Sequence, residues 1–331
     1  NIGVDASFFN NQLNLTFDYF YKRTTDILMK PIVPTVFGTD MPMDNIGEMQ
    51  NQGWEIGINY NIRTGQVQHG FSLNLSDSYN KVLKFPGHEQ IKKADELERI
   101  IREGVPLNSY YGYKTDGYFQ SYEEIEASAI PVGGKVQPGD VKFVDRNNDG
   151  VIDSKDRFIL GNAFPRYTFG FTYNLSWKGL DFSMFWQGAA MFDVNLCGIY
   201  DSGIRDDTFY TRPFYADGNT PYYLVEGSWR PDNPNAKFPR LGIEARDNGG
   251  KFSSWWVKDG TYLRLKSVQL GYTLPKKLTE KAGFRTIRAY VSGGNLLTIC
   301  GLDYMDPEMP GVNQGYYPQQ RTYEFGLNIT F

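Results

Sequence analysis

Strict period-two alternation, a sorting of connection lengths by parity, and a closing aromatic residue predict an all-β chain folded as an antiparallel transmembrane β-barrel wall. The alternation is clearest in the final stretch, RTYEFGLNITF. There Tyr323, Phe325, Leu327, Ile329 and Phe331 are apolar, and Thr322, Glu324, Gly326, Asn328 and Thr330 stand between them. A strand with that pattern has one oily and one polar face. In a barrel the oily face meets lipid and the polar face meets the lumen.

The same pattern recurs along the chain. The first strand, residues 1–9, sets Ile2, Val4, Ala6 and Phe8 on one face. Asn10 and Asn11 follow as a turn signal, because Asn tolerates left-handed backbone. The second strand, LNLTFDYFYK, aligns Leu13, Leu15, Phe17, Tyr19 and Tyr21 against Asn14, Thr16, Asp18 and Lys22, with Phe20 as the exception. A connection with Pro31, Pro34, Gly38 and Pro42 leads to the third strand, where Trp54, Ile56, Ile58, Tyr60 and Ile62 alternate with Glu55, Gly57, Asn59 and Asn61. A short turn in RTGQVQHG precedes the fourth strand, with Phe71, Leu73 and Leu75.

Next comes the longest connection, residues 81–165. Its charged segment HEQIKKADELERIIRE places Ile91, Ala94, Leu97 and Ile101 at helical spacing. The fifth strand carries Tyr167, Phe169, Phe171, Tyr173 and Leu175, and a turn at Trp177 to Gly179 leads to the sixth, with Leu180, Phe182, Met184 and Trp186. A second long connection, residues 192–261, is rich in Trp, Pro and Gly. The seventh strand has Val268, Leu270, Tyr272 and Leu274, PKKLTEKAG links it to the eighth with Ile287, Ala289 and Val291, and a Gly- and Pro-rich stretch reaches the ninth.

Read forward, the connections run short, long, short, long to the end. Odd-to-even turns have roughly two to nine residues and even-to-odd connections roughly 20 to 85. Barrels of outer membranes have that asymmetry, with short turns on the periplasmic rim and long loops outside. Compact soluble domains seldom carry loops beyond about 15 residues. Tyr and Trp near strand ends fit interfacial girdles. Nine strands cannot close a bacterial barrel, which has an even number, and an open sheet edge is not viable in lipid. The chain is therefore expected to be the C-terminal portion of a larger barrel. Because it starts at Asn1 inside a strand, it is expected to be a mature or cut piece of something longer.

Composition narrows the function classes. Only 22% of residues are charged and 16% are aromatic, with formal net charge −4, so neither nucleic acid nor a polybasic anchor is indicated. The mean hydropathy of −0.47 does not argue against a barrel, whose lumen and loops are polar. Two histidines, His69 and His88, and two cysteines leave little for a zinc or thiol site. Neither G-x-S-x-G nor H-E-x-x-H occurs, and no catalytic constellation emerges; the chain does not look like an enzyme. Cys197 and Cys300 fall on the extracellular side of this topology, one intervening strand apart, and two free thiols are expected.

One motif carries sharp chemistry. DRNNDGVIDSKD, Asp145 to Asp156, fits a calcium loop in which Asp145, Asn147 and Asp149 supply side-chain oxygens, Gly150 allows the turn, Val151 offers its carbonyl, and Asp153 acts through water. Asp156 stands where an EF-hand has Glu. A bound Ca2+ would brace a long loop. Loop aromatics Tyr222, Tyr223, Trp229, Trp255 and Trp256 are candidates for stacking on substrate, since aromatic faces suit sugar C–H surfaces. Asp18, Glu55, Asn59 and Asn61 would line a polar lumen.

These residues also carry a resemblance. Tyr111-Gly112-Tyr113 with Asp116-Gly117, and the run Gly139 to Phe171, resemble the SusC/RagA family of TonB-dependent outer-membrane transporters of the Bacteroidota. So do Asn45-Ile46-Gly47-Glu48 with Asn51-Gln52-Gly53, Leu263-Arg264-Leu265 with Leu270 to Pro275, and Gly294-Asn295-Leu296-Leu297. The resemblance covers essentially the whole chain. It implies a barrel of about 22 strands with an N-terminal plug on the other part of the same transporter, a SusD-like surface lipoprotein closing over the loops, and energy from the TonB complex. It implies import of oligosaccharides, or alternatively oligopeptides, across the outer membrane of a Gram-negative cell. The acidic loop recurs in the family, which supports the same assignment of Asp145, Asn147, Asp149 and Asp156. The rival readings are a soluble all-β carbohydrate-binding or glycosidase fragment with a dockerin-like calcium loop, and a passive porin.

Overall fold

The computed structural model describes residues 1–31, 38, 42–87, 89–94, 97–195, 222–241, 252–303, 306–308 and 319–331. Nine strands form one antiparallel sheet in strict sequence order. They are β1 (Ile2–Phe8), β2 (Leu13–Met29), β3 (Asp44–Thr64), β4 (Val67–Lys84), β5 (Tyr167–Trp177), β6 (Leu180–Ala190), β7 (Tyr262–Thr273), β8 (Thr286–Cys300) and β9 (Thr322–Thr330). Every strand pairs with its sequence neighbour, which makes the sheet a meander.

Registers carry the sequence pattern across the sheet. Leu15 faces Ile58, Ile58 faces Leu73, Leu73 faces Phe171 and Phe171 faces Trp186. Because side chains alternate, this row and its even-spaced neighbours build one apolar surface. That surface is bare: Phe325 is 83% and Phe331 87% exposed, with Leu327, Ile299 and Leu270 also open. Such a face stands in water only at great cost, and lipid satisfies it. From Trp54 to Ile62 the apolar band on β3 spans about 27 Å along the strand, near the height of a hydrocarbon core after tilt.

All short turns lie at one rim. Asn10 and Asn11 have φ of 55° and 65°, the left-handed backbone anticipated for them. Lys178 and Gly179 also have positive φ, and that pair gives a tight hairpin. Between β7 and β8, short helical turns at Lys276–Thr279 and Glu280–Ala282 end at Gly283. There Phe284 packs its ring 5.4 Å from that of Phe331, so the terminal aromatic side chain closes the turn rim.

Two expectations change. β2, β3 and β4 extend well past the apolar band, so the connection between β2 and β3 is shorter than alternation implies. Past the band polar and apolar residues mix and strict alternation lapses, yet backbone pairing continues. The segment with helical spacing is also not a helix: Glu89–Ala94 pairs with Leu97–Arg102 as a hairpin. Leu97 and Ile101, four residues apart, satisfy period two as well as helical spacing. Tertiary packing decides, since Ile100 is fully buried and Ile101 packs with Val82 and Phe85.

Candidate functional site

The inner face of the sheet and the loops above it form the candidate site. Asp18, Glu55, Asn59 and Asn61 lie on the face opposite the apolar band. Asp18 stands directly across from Glu55, and Glu55 from Ser76. Asp18 and Glu55, with Thr16, Asn74, Thr168 and Gln187, line a concave trough of about 570 Å3, and Asn61 lines a second hollow on the sheet with Gln12, Gln68 and Asn174. Those polar side chains can hydrogen-bond water and polar solutes.

Above it, the two long loops fold into one platform. Tyr113 donates its N–H to the Phe252 carbonyl at 2.9 Å, and Ser254 N–H returns to Tyr113 at 2.8 Å. Ser254 Oγ accepts from Thr115 N–H at 2.9 Å. Tyr110, Leu224, Phe238, Phe252 and Trp256 form the shared core. A buried ion pair joins Arg240 of the second loop to Asp140 of the first, and Asp140 also accepts from Gln137 N–H. Trp229 donates its indole N–H to Gln120 Oε1 at 3.1 Å.

That core fixes the predicted aromatic side chains. Trp256 is 2% and Trp229 8% exposed, so both rings are taken up in packing. Trp255 meets Trp256 edge-on at 4.4 Å and donates to the Tyr118 hydroxyl at 2.7 Å. Burial pushes the Tyr118 phenol up to about 12, partly offset by the Trp255 bond. Tyr223 packs against the core, and Tyr222 is 76% exposed. Of the five, Tyr222 alone presents an open ring.

The acidic loop is a dense set of carboxylate-to-backbone bonds. Asp145 Oδ2 accepts from Gly150 N–H at 2.8 Å, Asn147 Oδ1 from Asp149 N–H at 3.2 Å, and Asp149 Oδ1 from Val151 N–H at 3.1 Å. Asp153 accepts from Lys155 N–H. Asp156 is fully buried and accepts from Arg146 N–H at 2.9 Å and Asp153 N–H at 2.7 Å. Gly150 has φ of 82°. Among the described residues no three His, Cys, Asp or Glu side chains converge as a metal cluster. Cys300 carries a free thiol near the Leu302 carbonyl; Cys197 lies outside the described residues, as does His88.

An ion-pair network that sequence reasoning missed sits at the trough's upper edge. Arg264, 2% exposed at its side chain, bonds Asp306 at 2.7 Å, Glu308 at 2.5 Å and Thr298 Oγ1 at 2.9 Å. Lys266 and Tyr262 converge on the same Glu308. The network ties residues 306–308 to the inner wall. Leu263-Arg264-Leu265 carries part of the family resemblance, but nothing near Arg264 points to these bonds, because its acidic partners lie about 40 residues away.

Comparison with known proteins fits this geometry. A model of the TonB-dependent receptor-like β-barrel family matches residues 1–296. TonB-dependent receptor P26 of Formosa agariphila is 34% identical over 351 residues, and the match covers this whole chain and 34% of that protein. TonB-dependent receptor SusC of Bacteroides thetaiotaomicron is 26% identical, again over the whole chain and 31% of the relative. The chain thus spans about a third of the curated relatives it matches. The RagAB peptide transporter superposes with a TM-score of 0.74 at 21% identity, covering 99% of this chain and 34% of that one. At that identity the likeness speaks for the fold.

Proposed function

The chain belongs to the TonB-dependent receptor β-barrel family, and on that premise we propose that it is the C-terminal barrel wall of an outer-membrane importer of SusC/RagA type. One observation carries the reading: nine strands in an unbroken meander, bare apolar residues on one face, a polar trough on the other, and every long connection at one rim. In this reading the rest of the transporter supplies the remaining strands, the plug and the contact to the TonB complex. A SusD-like lipoprotein covers the loop platform. The cargo is an oligomer, oligosaccharide or oligopeptide; the structural neighbour is named as a peptide transporter, and an exposed loop ring such as Tyr222 suits either. The barrel sits in the outer membrane of a Gram-negative bacterium of the Bacteroidota. A soluble glycan-binding fragment is not favoured, because it would expose Phe325, Leu327 and Phe331 to water.

The acidic loop enters this reading as a structural calcium site. Asp145 Oδ1 is buried without a hydrogen-bond partner, and an orphaned carboxylate oxygen is costly unless a cation meets it. Oxygen donors from Asp145, Asn147, Asp149, Val151, Asp153 and Asp156 suit Ca2+. The ion would cross-link the loop; the chain's own contribution is to hold the carboxylates with backbone N–H groups. Chelation is expected to raise proteolysis within residues 145–156 and leave the barrel's folding unchanged.

Import is tested with a deletion of the full-length gene, complemented in trans. Uptake of labelled oligopeptides or oligosaccharides falls to background in the deletion and after a protonophore, and returns with the intact gene. Undiminished uptake of both cargo classes in the deletion would overturn the proposal.

A further inference from the structure

A short hairpin, Asp193–Asn195 with Val257–Asp259, carries β6 and β7 upward into the loop platform. Lys258 stands directly across from Val194 on it, and partners in an antiparallel ladder share a face. Val194 packs with Ala189, Phe192 and Tyr262, and Ala189 and Tyr262 line the trough below. Lys258 is therefore on the inner, lumen-facing side. Asp193 and Asp259, one residue along on each strand, alternate to the other face.

A second ammonium group approaches the same place. Leu302 packs against that cluster, and its neighbour Asp303 holds Lys237 in an ion pair. Lys237 Nζ lies 5.8 Å from the centre of the Phe238 ring, and Lys258 Nζ lies 5.3 Å from that of Trp255. The two rings are 6.2 Å apart, so two cations flank one aromatic pair. Just below, Arg264 and Lys266 are matched by Asp306 and Glu308. Among the described residues, Lys258 alone of these four cations has no ion pair or hydrogen bond. A lysine with only a packing role would carry its own carboxylate, as the other three cations do.

The setting of Lys258 is concave. Its side chain is exposed, yet loop atoms crowd the ammonium group. That desolvation, and secondly the charge of Lys237, push it below the ordinary lysine range. Exposure combined with desolvation describes a hollow open to the lumen. Two ammonium groups that repel each other there gain by sharing an anion.

We propose that, given the importer reading above, Lys258 and Lys237 form a subsite for a carboxylate on the cargo, so that the transporter selects acidic oligomers over neutral ones. Lys258 supplies the unshared ammonium group. Lys237, already held by Asp303, adds the second positive charge. The half-buried Trp255 ring gives the hollow an apolar wall. The chemistry recognised is the carboxylate, carried by a uronic sugar or by an acidic peptide side chain. A charge-assisted hydrogen bond of ordinary strength contributes about tenfold or more in affinity.

The test uses the full-length protein purified in detergent. The probes are a galacturonate trimer, its methyl ester, an Asp-Asp pentapeptide and its Asn-Asn counterpart. Binding titrations read the affinity for each. The expected result is that an acidic probe binds about tenfold tighter than its neutral counterpart. K258A and K258Q are expected to lose that preference and keep the affinity for the neutral probes, while K258R retains it. The scaffold of the preferred acid then tells sugar carboxylate from peptide carboxylate. Heat-shifted gel migration and intact loops under proteolysis confirm that each variant is folded. Absence of any acidic preference in folded wild type would overturn the proposal, and so would a preference that persists in K258A and K258Q. Undiminished uptake in the deletion strain, with the acidic preference present, would instead defeat the importer reading and leave the subsite standing.

Discussion

Gly139 shows how narrowly the loop platform is fitted. Its φ is 89°, a region that L side chains rarely adopt. A β-carbon there would also collide with the Trp229 ring. G139A is expected to destabilise the platform by about 2 kcal/mol or more, seen as faster proteolysis of the two long loops at unchanged heat-shifted migration of the barrel. Asp193 makes the opposite point. Burial raises its carboxyl above the usual aspartate range, and Asp259 directly across the ladder adds to this, partly offset by the Asn162 N–H. The folded state therefore holds the proton more tightly than the unfolded one. Loop stability falls as pH rises from the ordinary aspartate value through the raised one, then stays flat. D193N keeps an acceptor for Asn162 and removes the charge. It is expected to flatten that window and at neutral pH to protect the loop at least as well as wild type in pulse proteolysis. Single residues were the least legible part of the sequence. Tyr222, Tyr223, Trp229, Trp255 and Trp256 read alike as candidate ligand stackers, because an aromatic side chain in a loop has the same letter whether it packs inward or stands open. Only the partner loop decides, and it lies about 100 residues away.

At the scale of elements, strands were legible and loop folds were not. Lipid imposes alternation on every residue of a spanning strand, so β5, β6 and β9 could be placed nearly to the residue. Above the lipid that constraint lapses, which is why the upper halves of β2 and β3 escaped, and why residues 89–102 suggested a helix. The platform is held by long-range polar contacts that leave no periodic trace. The Arg240–Asp140 pair is one of them. R240A strands a buried carboxylate, at a cost of about 3–5 kcal/mol. The two loops are then expected to exchange amide hydrogens faster around Gly139 and Arg240, while β4 to β8 keep their protection. R264M is expected to act likewise on residues 306–308, leaving Asp306 and Glu308 without their guanidinium partner. Hydrogen exchange confined to the barrel strands in either variant would contradict these assignments.

For the whole molecule, the argument rests on two faces of one sheet. The apolar face requires lipid, the polar face requires an aqueous lumen, and nine strands require further strands to pair with each edge. The connection-length parity and the girdle agree with that account, and the chain belongs to the TonB-dependent receptor β-barrel family. The most direct test is purification of the native assembly from outer membranes in detergent, with mass spectrometry of every polypeptide and of any retained ligand. The account predicts a heat-modifiable barrel that contains this chain together with the plug-bearing part of the transporter, accompanied by a lipoprotein and an oligomeric glycan or peptide. Recovery of the chain alone, soluble without detergent and monomeric, would contradict it.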